Sequence, residues 1–253
     1  MSTGRLALVT GGARGIGAEI CRQLAAQGMR VAVSDLNQDD CQALANELVG
    51  EGHSGWKLDV ADEADVESTF DHIEAAHGPI AVLVCNAGIL ILHDGERAPI
   101  IDTTLDEWER THAVNTRGTF LTSRAFMRRR VKAPVEHGRV ITFSSCAAQL
   151  GGYRSSASYI SSKAAVLGYT KALAREAAPY NITVNGIAPG LIDTHMLRLS
   201  MAPGQEKTAA ANIPLQRLGL PSDIAAVVAF LVSENASYVT GTMNDVNGGY
   251  RMQ

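Results

Sequence analysis

The chain has 253 residues, 46% hydrophobic and 19% charged, with a net charge of −4 at pH 7. That length allows a sizeable core in one large α/β domain or two small ones, and the charge carries no basic stripe suited to nucleic acid. The longest apolar run, Ala225 to Val232, is far too short to cross a bilayer, so no membrane partner is expected. A strand begins almost at once, leaving no room for a signal peptide. Four cysteines (Cys21, Cys41, Cys85, Cys146) lack metal or disulfide spacing, so we expect a cytoplasmic protein without a metal.

Arg5 to Val9 reads as a buried strand leading into Thr10-Gly11-Gly12-Ala13-Arg14-Gly15-Ile16-Gly17. Ile16, Ile20 and Leu24 then repeat at helical period, and Gly28 is a plausible stop. Strand, glycine turn and helix in that order form a phosphate site. The glycines let backbone approach a ligand, and the free N–H groups opening the helix attract an anion. Arg30 to Ser34 is a second strand ending at Asp35, about 20 residues on, where the adenosine ribose of a dinucleotide would lie. Its carboxylate would accept from both ribose hydroxyls and repel a 2′-phosphate. Leu36 and Asn37 add no cation, so NAD is favoured over NADP. Arg14 argues the other way, since it could pair with a 2′-phosphate, but a like charge at the contact point weighs more.

A helix from about Gln38 to Gly50 leads to a strand at Gly55–Leu58 and its polar end, Asp59-Val60. Asp62 reads as the cap of a helix reaching Ala76; Gly78-Pro79 ends it. Ile80 to Val84 is a fully apolar strand, followed by Cys85-Asn86-Ala87-Gly88. This rhythm predicts an α/β fold in a single domain, 1–253: a doubly wound parallel sheet of about seven strands with helices on both faces. From Ile89 to Ile101 an irregular loop carries His93, Asp94, Glu96 and Arg97. A helix in two parts around Asn115 follows, reaching about Lys132, with Arg128–Arg130 as a solvated face. Gly138–Ser145 is the fifth strand, Ser158–Ala178 a long helix, and Asn181–Ala188 the sixth strand, closed by Pro189-Gly190. Residues from about 191 to 215 read as a mobile substrate segment. Pro221–Ser233 is a helix and Thr242–Val246 the last strand.

Tyr159 and Lys163 are four apart, on one face of the long helix. A tyrosine is a poor base at neutral pH, and a nearby ammonium favours its phenolate, so the pair can serve as an acid/base group. Ser145 ends a strand on the same sheet edge as the glycine turn, where it could hold a substrate oxygen. By position, Gln149, Tyr153, Leu191, His195 and Met196 line the substrate pocket, with His93 near its rim.

At these residues the sequence resembles the short-chain dehydrogenase/reductase family over nearly its whole length. The glycine motif Thr10-Gly11-x-x-x-Gly15-Ile16-Gly17, the segment Asn86-Ala87-Gly88 and the tetrad Asn115, Ser145, Tyr159 and Lys163 carry the resemblance. So do Pro189-Gly190 with Thr194, and Val246-Asn-Gly-Gly249. The chain departs from the pattern at Cys85, where the family usually has Asn, and in a longer connection between Gly88 and Asn115. Ser145 and Tyr159 are also fourteen apart, one more than in many members, which makes Ser144 and Cys146 rivals for the serine's place.

The resemblance implies a Rossmann fold and an enzyme that interconverts secondary alcohols and ketones with a nicotinamide cofactor, usually as a tetramer. Lys163 would bond the nicotinamide ribose and lower the Tyr159 pKa, and Asn115 would position water for a relay. Ile192 and Thr194 would hold the carboxamide, Asp59 and Val60 flank the adenine, and Asn86 the adenosine side. Leu121, Phe126, Leu167 and Leu173 are candidates for the tetramer seam, if they are not core. Within the family the chain is also similar to 3-oxoacyl carrier-protein reductases, especially from Pro214 to Gly241. Those typically prefer NADPH and dock an acidic carrier, for which Arg128 offers a cation while Tyr180 stands where a second is expected. Asp35 instead favours an NAD-dependent enzyme of a small polar or cyclic alcohol. The rivals from other classes are a non-catalytic NAD-binding regulator and a Rossmann methyltransferase; a Tyr–Lys pair would serve neither.

Overall fold

Strands that are apolar on both faces suit a parallel sheet covered by helices on both sides. The computed structural model describes residues 4–152, 155–201 and 204–252. Its strands are β1 (Leu6–Thr10), β2 (Arg30–Asp35), β3 (Ser54–Lys57), β4 (Ile80–Cys85), β5 (Gly138–Phe143), β6 (Ile182–Pro189) and β7 (Met243–Val246). All pairings are parallel, and the order across the sheet is β3-β2-β1-β4-β5-β6-β7. The chain winds outward from β1 to β3, then returns to β4 on the other side of β1. That reversal opens a crevice at the carboxyl edge, where open α/β sheets bind ligands.

The α-helices among the described residues are α1 (Gly15–Ala26), α2 (Gln38–Glu47), α3 (Glu63–His77), α4 (Leu105–His112) and α5 (Gly118–Lys132), then α6 (Cys146–Leu150), α7 (Ala157–Ala177), α8 (His195–Leu199), α9 (Glu206–Ala211) and α10 (Pro221–Val232). Alternate strand residues divide between the two faces. Ala7, Val9, Val31 and Val33 pack with Ile20 and Leu24 of α1, Leu44 of α2 and Ile224 of α10. Leu6, Leu8, Leu83 and Val184 pack with Phe70 of α3, Phe126 of α5 and Leu173 of α7. Helix starts follow local chemistry: Asp62 caps α3 by accepting from Ala64 and Asp65, and Thr104 forms a capping box with Glu107. Gly28, at φ +81°, closes α1 in the left-handed conformation.

Several expectations change here. The break around Asn115 is a π-helical turn, Ala113–Arg117, joining α4 to α5. Helix α7 begins at Ala157, one residue early, because the Ser156 hydroxyl accepts from the Tyr159 N–H. The short helix α6 was not predicted, and the segment 191–215 contains α8 and α9.

Of Arg128–Arg130 only Arg128 is a solvated residue; Arg129 and Arg130 turn inward, and all three join a clamp between α5 and α3. Arg124 pairs with Glu63, Arg128 with Glu67, Arg129 with Glu67 and Asp71, and the fully buried Arg130 with Glu74. Leu121, Phe126 and Leu173 are buried in the core against the sheet, which removes them from any seam; Leu167 is half-buried. Large apolar side chains that do face outward on α4 and α5 are Leu105, Trp108, Phe120 and Val131.

Candidate active site

The carboxyl ends of β1 and β2 meet at the glycine turn. Gly12 N–H donates to the Ser34 carbonyl at 2.8 Å, and Ala13 N–H reaches the Asp35 carboxylate at 3.3 Å. Gly17 must lack a side chain, because a Cβ there would lie 2.1 Å from the Gly11 carbonyl oxygen. Gly15, at φ +57°, would meet only Thr194 at 3.9 Å, so its flank opens toward a ligand. Arg14, the N-cap of α1, gives no side-chain cap, which leaves the first-turn N–H groups available. From β4, the Asn86 amide donates to the Thr10 and Gly11 carbonyls at 3.1 and 2.8 Å, and Ala87 N–H donates to the Thr10 hydroxyl. Asn86 therefore shapes the turn from beneath.

A cavity of about 460 Å³ runs along this edge. It is lined by every residue predicted to hold the cofactor: Gly11, Arg14, Gly15, Ile16, Gly17, Asp35, Leu36, Asp59, Val60, Asn86, Ala87, Gly88, Tyr159, Lys163, Pro189, Gly190, Ile192 and Thr194. The glycine cradle, the uncapped helix start and the Asp35 carboxylate fit a dinucleotide. Ile192 has a buried side chain and Thr194 spends its hydroxyl capping α8, so their backbone is what they offer. Of the substrate candidates, Ser145, Tyr159, Leu191, His195 and Met196 line the cavity. Gln149 does not; its amide donates to Asp245 at 3.1 Å. Tyr153 lies outside the described residues.

Ser145 ends β5 as the N-cap of α6, accepting from Ala147 N–H at 3.1 Å. Its rivals are set aside by their surroundings. The Ser144 hydroxyl donates to the Lys163 carbonyl at 2.8 Å, and Cys146 is a buried thiol. Burial pushes the Tyr159 phenol up to about 12, opposed by hydrogen bonding with Ser145. Lys163 Nζ is buried 6.0 Å from the Tyr159 ring centroid and donates to the Phe143 carbonyl at 3.0 Å; burial pulls it down to about 8. The expected lowering of the phenol by Lys163 does not appear: desolvation dominates, and Ser145 supplies the opposing contribution.

Asn115 is fully buried and does not line the cavity. Its side chain accepts from Ile89 N–H at 2.8 Å and donates to the Ile89 carbonyl and the Ser162 hydroxyl, both at 3.0 Å. It thereby pins the strand end after Gly88 to α7. A Cβ at Gly88 would sit 3.2 Å from Lys163 Nζ and 3.3 Å from Asn115 Oδ1, so both groups border one small space. Cys85, in place of the usual Asn, is buried against the Thr122 hydroxyl at 3.4 Å. The sequence reading missed Leu90, Leu197 and Leu199 as lining residues; they carry no motif, and only the folding of the rim segments brings them in.

A buried Tyr–Lys pair beside a strand-end serine, facing a dinucleotide cradle, defines an oxidoreductase site acting on a carbon–oxygen centre. The family model described as enoyl-(acyl carrier protein) reductase matches residues 11–251. The 3-oxoacyl-[acyl-carrier-protein] reductase of Escherichia coli (strain K12) is 39% identical over 249 residues, 98% of each chain. That of Aquifex aeolicus (strain VF5) is 35% identical, with 97% of each covered. Among solved structures, a blue fluorescent protein from a metagenomic library in complex with NADPH shares 36% identity over 99% of each chain, with a TM-score of 0.88. A short-chain type dehydrogenase/reductase from Mycobacterium marinum shares 32%, with a TM-score of 0.90 and 99% and 97% covered. The chain belongs to the short-chain dehydrogenase/reductase family and is an oxidoreductase acting on CH–OH groups with NAD or NADP.

Proposed function

We propose that this enzyme uses NAD(H) to interconvert a small secondary alcohol and its ketone, with Tyr159 as the acid/base group. The observation that carries the reading is one cavity with Asp35 in its wall beside the glycine turn and Ser145, Tyr159 and Lys163 in the same wall beyond it. When bound, the nicotinamide supplies the hydride acceptor or donor. The chain does the rest. The Gly11–Gly17 turn and the start of α1 hold the pyrophosphate, and Asp35 holds the adenosine ribose. Asp59 and Val60 lie beside the adenine, and Ile192 and Thr194 beside the carboxamide. Ser145 Oγ fixes the substrate oxygen while the Tyr159 hydroxyl takes its proton or returns it. Lys163 supplies positive charge next to that hydroxyl, and Asn115 keeps the strand end and α7 in register.

Asp35 supports NAD because a 2′-phosphate would meet its carboxylate, and the next two residues are Leu36 and Asn37. The Arg14 residue is exposed and its side chain has no hydrogen-bond or ion-pair partner among the described residues, which is the one feature favouring NADP. kcat/KM measured with NADH and NADPH on one ketone decides between them. At least a tenfold advantage for NADH is expected; equal or better use of NADPH overturns the preference and makes Arg14 the deciding residue.

A second reading, 3-oxoacyl carrier-protein reduction with NADPH, draws on the 39% identical relatives. Arg128 pairs with Glu67 but stays exposed, so what weighs against this reading is Asp35, which disfavours NADPH. The chain is further read as one domain, with the 191–215 segment moving over the substrate, and as a cytoplasmic homotetramer. Four buried free thiols support the compartment. The outward Phe120 of α5, edge-on to Tyr169 of α7 at 6.2 Å, and Trp108 of α4 support the assembly, which sedimentation of the pure protein reads directly. No helix among the described residues is long and apolar enough to cross a membrane.

A further inference from the structure

We propose that the substrate end of the cavity selects a compact, uncharged, largely apolar ketone or alcohol, such as a cyclic one, and rejects carboxylate-bearing and carrier-bound substrates. The inference rests on the oxidoreductase reading above and narrows it. The cavity wall that Ser145 and Tyr159 share includes Leu90, Leu191, Met196, Leu197 and Leu199, together with the hydroxyl-bearing Ser144, Ser155 and Ser200. The titratable groups in that wall are Cys146, Tyr159, Lys163 and His195. Lys163 is buried and committed to the Phe143 carbonyl, and Arg14 belongs with Asp35 at the glycine turn. Among the described residues, a substrate carboxylate there would lose its hydration with His195 as its only partner, which is costly for an anion.

Among the described residues, the cations Arg198 and Arg251 are already engaged. Arg198 makes a two-pronged pair with Asp193 at 2.8 and 2.9 Å, and Arg251 pairs with Asp245 at 3.0 Å. Arg97 does not line the cavity; it donates to the Ser155 carbonyl at 3.5 Å and is flanked in sequence by Asp94 and Glu96.

The shape of the rim agrees with its chemistry. The long connection after β4 touches both other rim segments: a Cβ at Gly95 would lie 3.1 Å from the Leu199 carbonyl in α8, and Arg97 reaches Ser155 ahead of α7. His93 pairs with Glu107 and anchors the loop to α4. An acyl chain tethered to a carrier would have to pass its arm through these contacts. A free cyclic molecule brings no such arm.

The test uses three probes on the intact enzyme, each with NADH and with NADPH so that cofactor preference does not interfere. They are 4-oxocyclohexanecarboxylate, its methyl ester, and a 3-oxobutanoyl thioester on an acyl carrier protein. The ester should exceed both others in kcat/KM by at least about tenfold. Met196→Arg, which sets a cation in the wall, should shrink the ester-to-carboxylate ratio at least threefold; Leu199→Lys, at a more exposed position, repeats the test if Met196→Arg does not fold. Equal rates for ester and carboxylate, a preference for the carrier thioester, or a ratio unmoved in a folded cation variant overturns the inference while leaving the oxidoreductase reading intact. If no probe and no member of a broader alcohol panel turns over while NADH still binds, the oxidoreductase reading itself fails and this inference with it.

Discussion

The two ends of the cavity are built differently. At the nucleotide end, adjacent strand ends carry the site and neighbouring backbone ties it down, as in the bonds from Gly12 to Ser34 and from Asn86 to Thr10 and Gly11. At the substrate end, three separate segments meet: the 89–101 loop, the stretch through α6, and the stretch through α8 and α9. They are joined by a few contacts such as Arg97 to Ser155 and Gly95 against Leu199. A rigid scaffold presenting a loosely tied rim is the arrangement in which cofactor binding stays fixed while substrate choice varies.

A matched pair of glycine substitutions would break the comparison most directly. Gly17→Ala forces a Cβ to 2.1 Å from the Gly11 carbonyl, so the turn must open. We expect NADH binding to be lost and stability to fall by about 3 kcal/mol or more. Gly95→Ala, at φ +83° and 3.1 Å from Leu199, should cost about 1 kcal/mol, leave NADH binding unchanged and alter KM for substrate. Fluorescence titration and denaturant midpoints read both; equal loss of NADH binding would contradict the division.

Lys163 gives the next largest effect. Burial pulls its folded value from 10.5 down to about 8, so between those pH values the unfolded chain holds a proton that the folded chain has released. Stability from this group therefore rises as pH increases through the window and is lowest below it. The wild type should gain about 2 kcal/mol relative to Lys163→Met between pH 7.5 and 10. Taking the difference cancels the Cys21 thiol, whose raised value acts in the opposite sense in both proteins, while Cys85, coupled to Lys163, contributes a smaller opposing change. Unfolding curves at the two pH values check it, and a difference independent of pH would show that the ammonium is not desolvated.

Asp35→Ser is the smallest effect and the sharpest for the nucleotide end. It should bring the ratio of kcat/KM for NADH over NADPH down toward unity without moving substrate KM. An unchanged ratio would remove Asp35 from cofactor choice.

The same contrast explains what could be read from the chain. Gly11–Gly17, Asp35 and the Tyr159–Lys163 spacing report local backbone demands, so their positions in the cavity follow from sequence order. The clamp from Arg124–Arg130 to Glu63–Glu74 is invisible along the chain, because partners about sixty residues apart meet only when α5 packs beside α3. Gln149 fits the pocket by position, yet Asp245 of β7 holds its amide. Leu121 and Phe126 fail as seam residues because the apolar stripe of α5 that includes them is consumed by the sheet, leaving Phe120 outside. The short helices α6, α8 and α9 are too brief for periodicity to reveal, and the rim leucines come with them.

The central claim is that Tyr159 exchanges the proton, and Tyr159→Phe tests it with the least disturbance because ring and packing are kept. NADH binding and the unfolding midpoint should match the wild type, while kcat for oxidation and for reduction falls by about 10²–10⁴-fold. In the wild type the oxidative rate should climb with pH, since burial holds the phenol high and oxidation draws on its ionised form. Near-normal turnover by a folded, NADH-binding Tyr159→Phe enzyme would contradict the account.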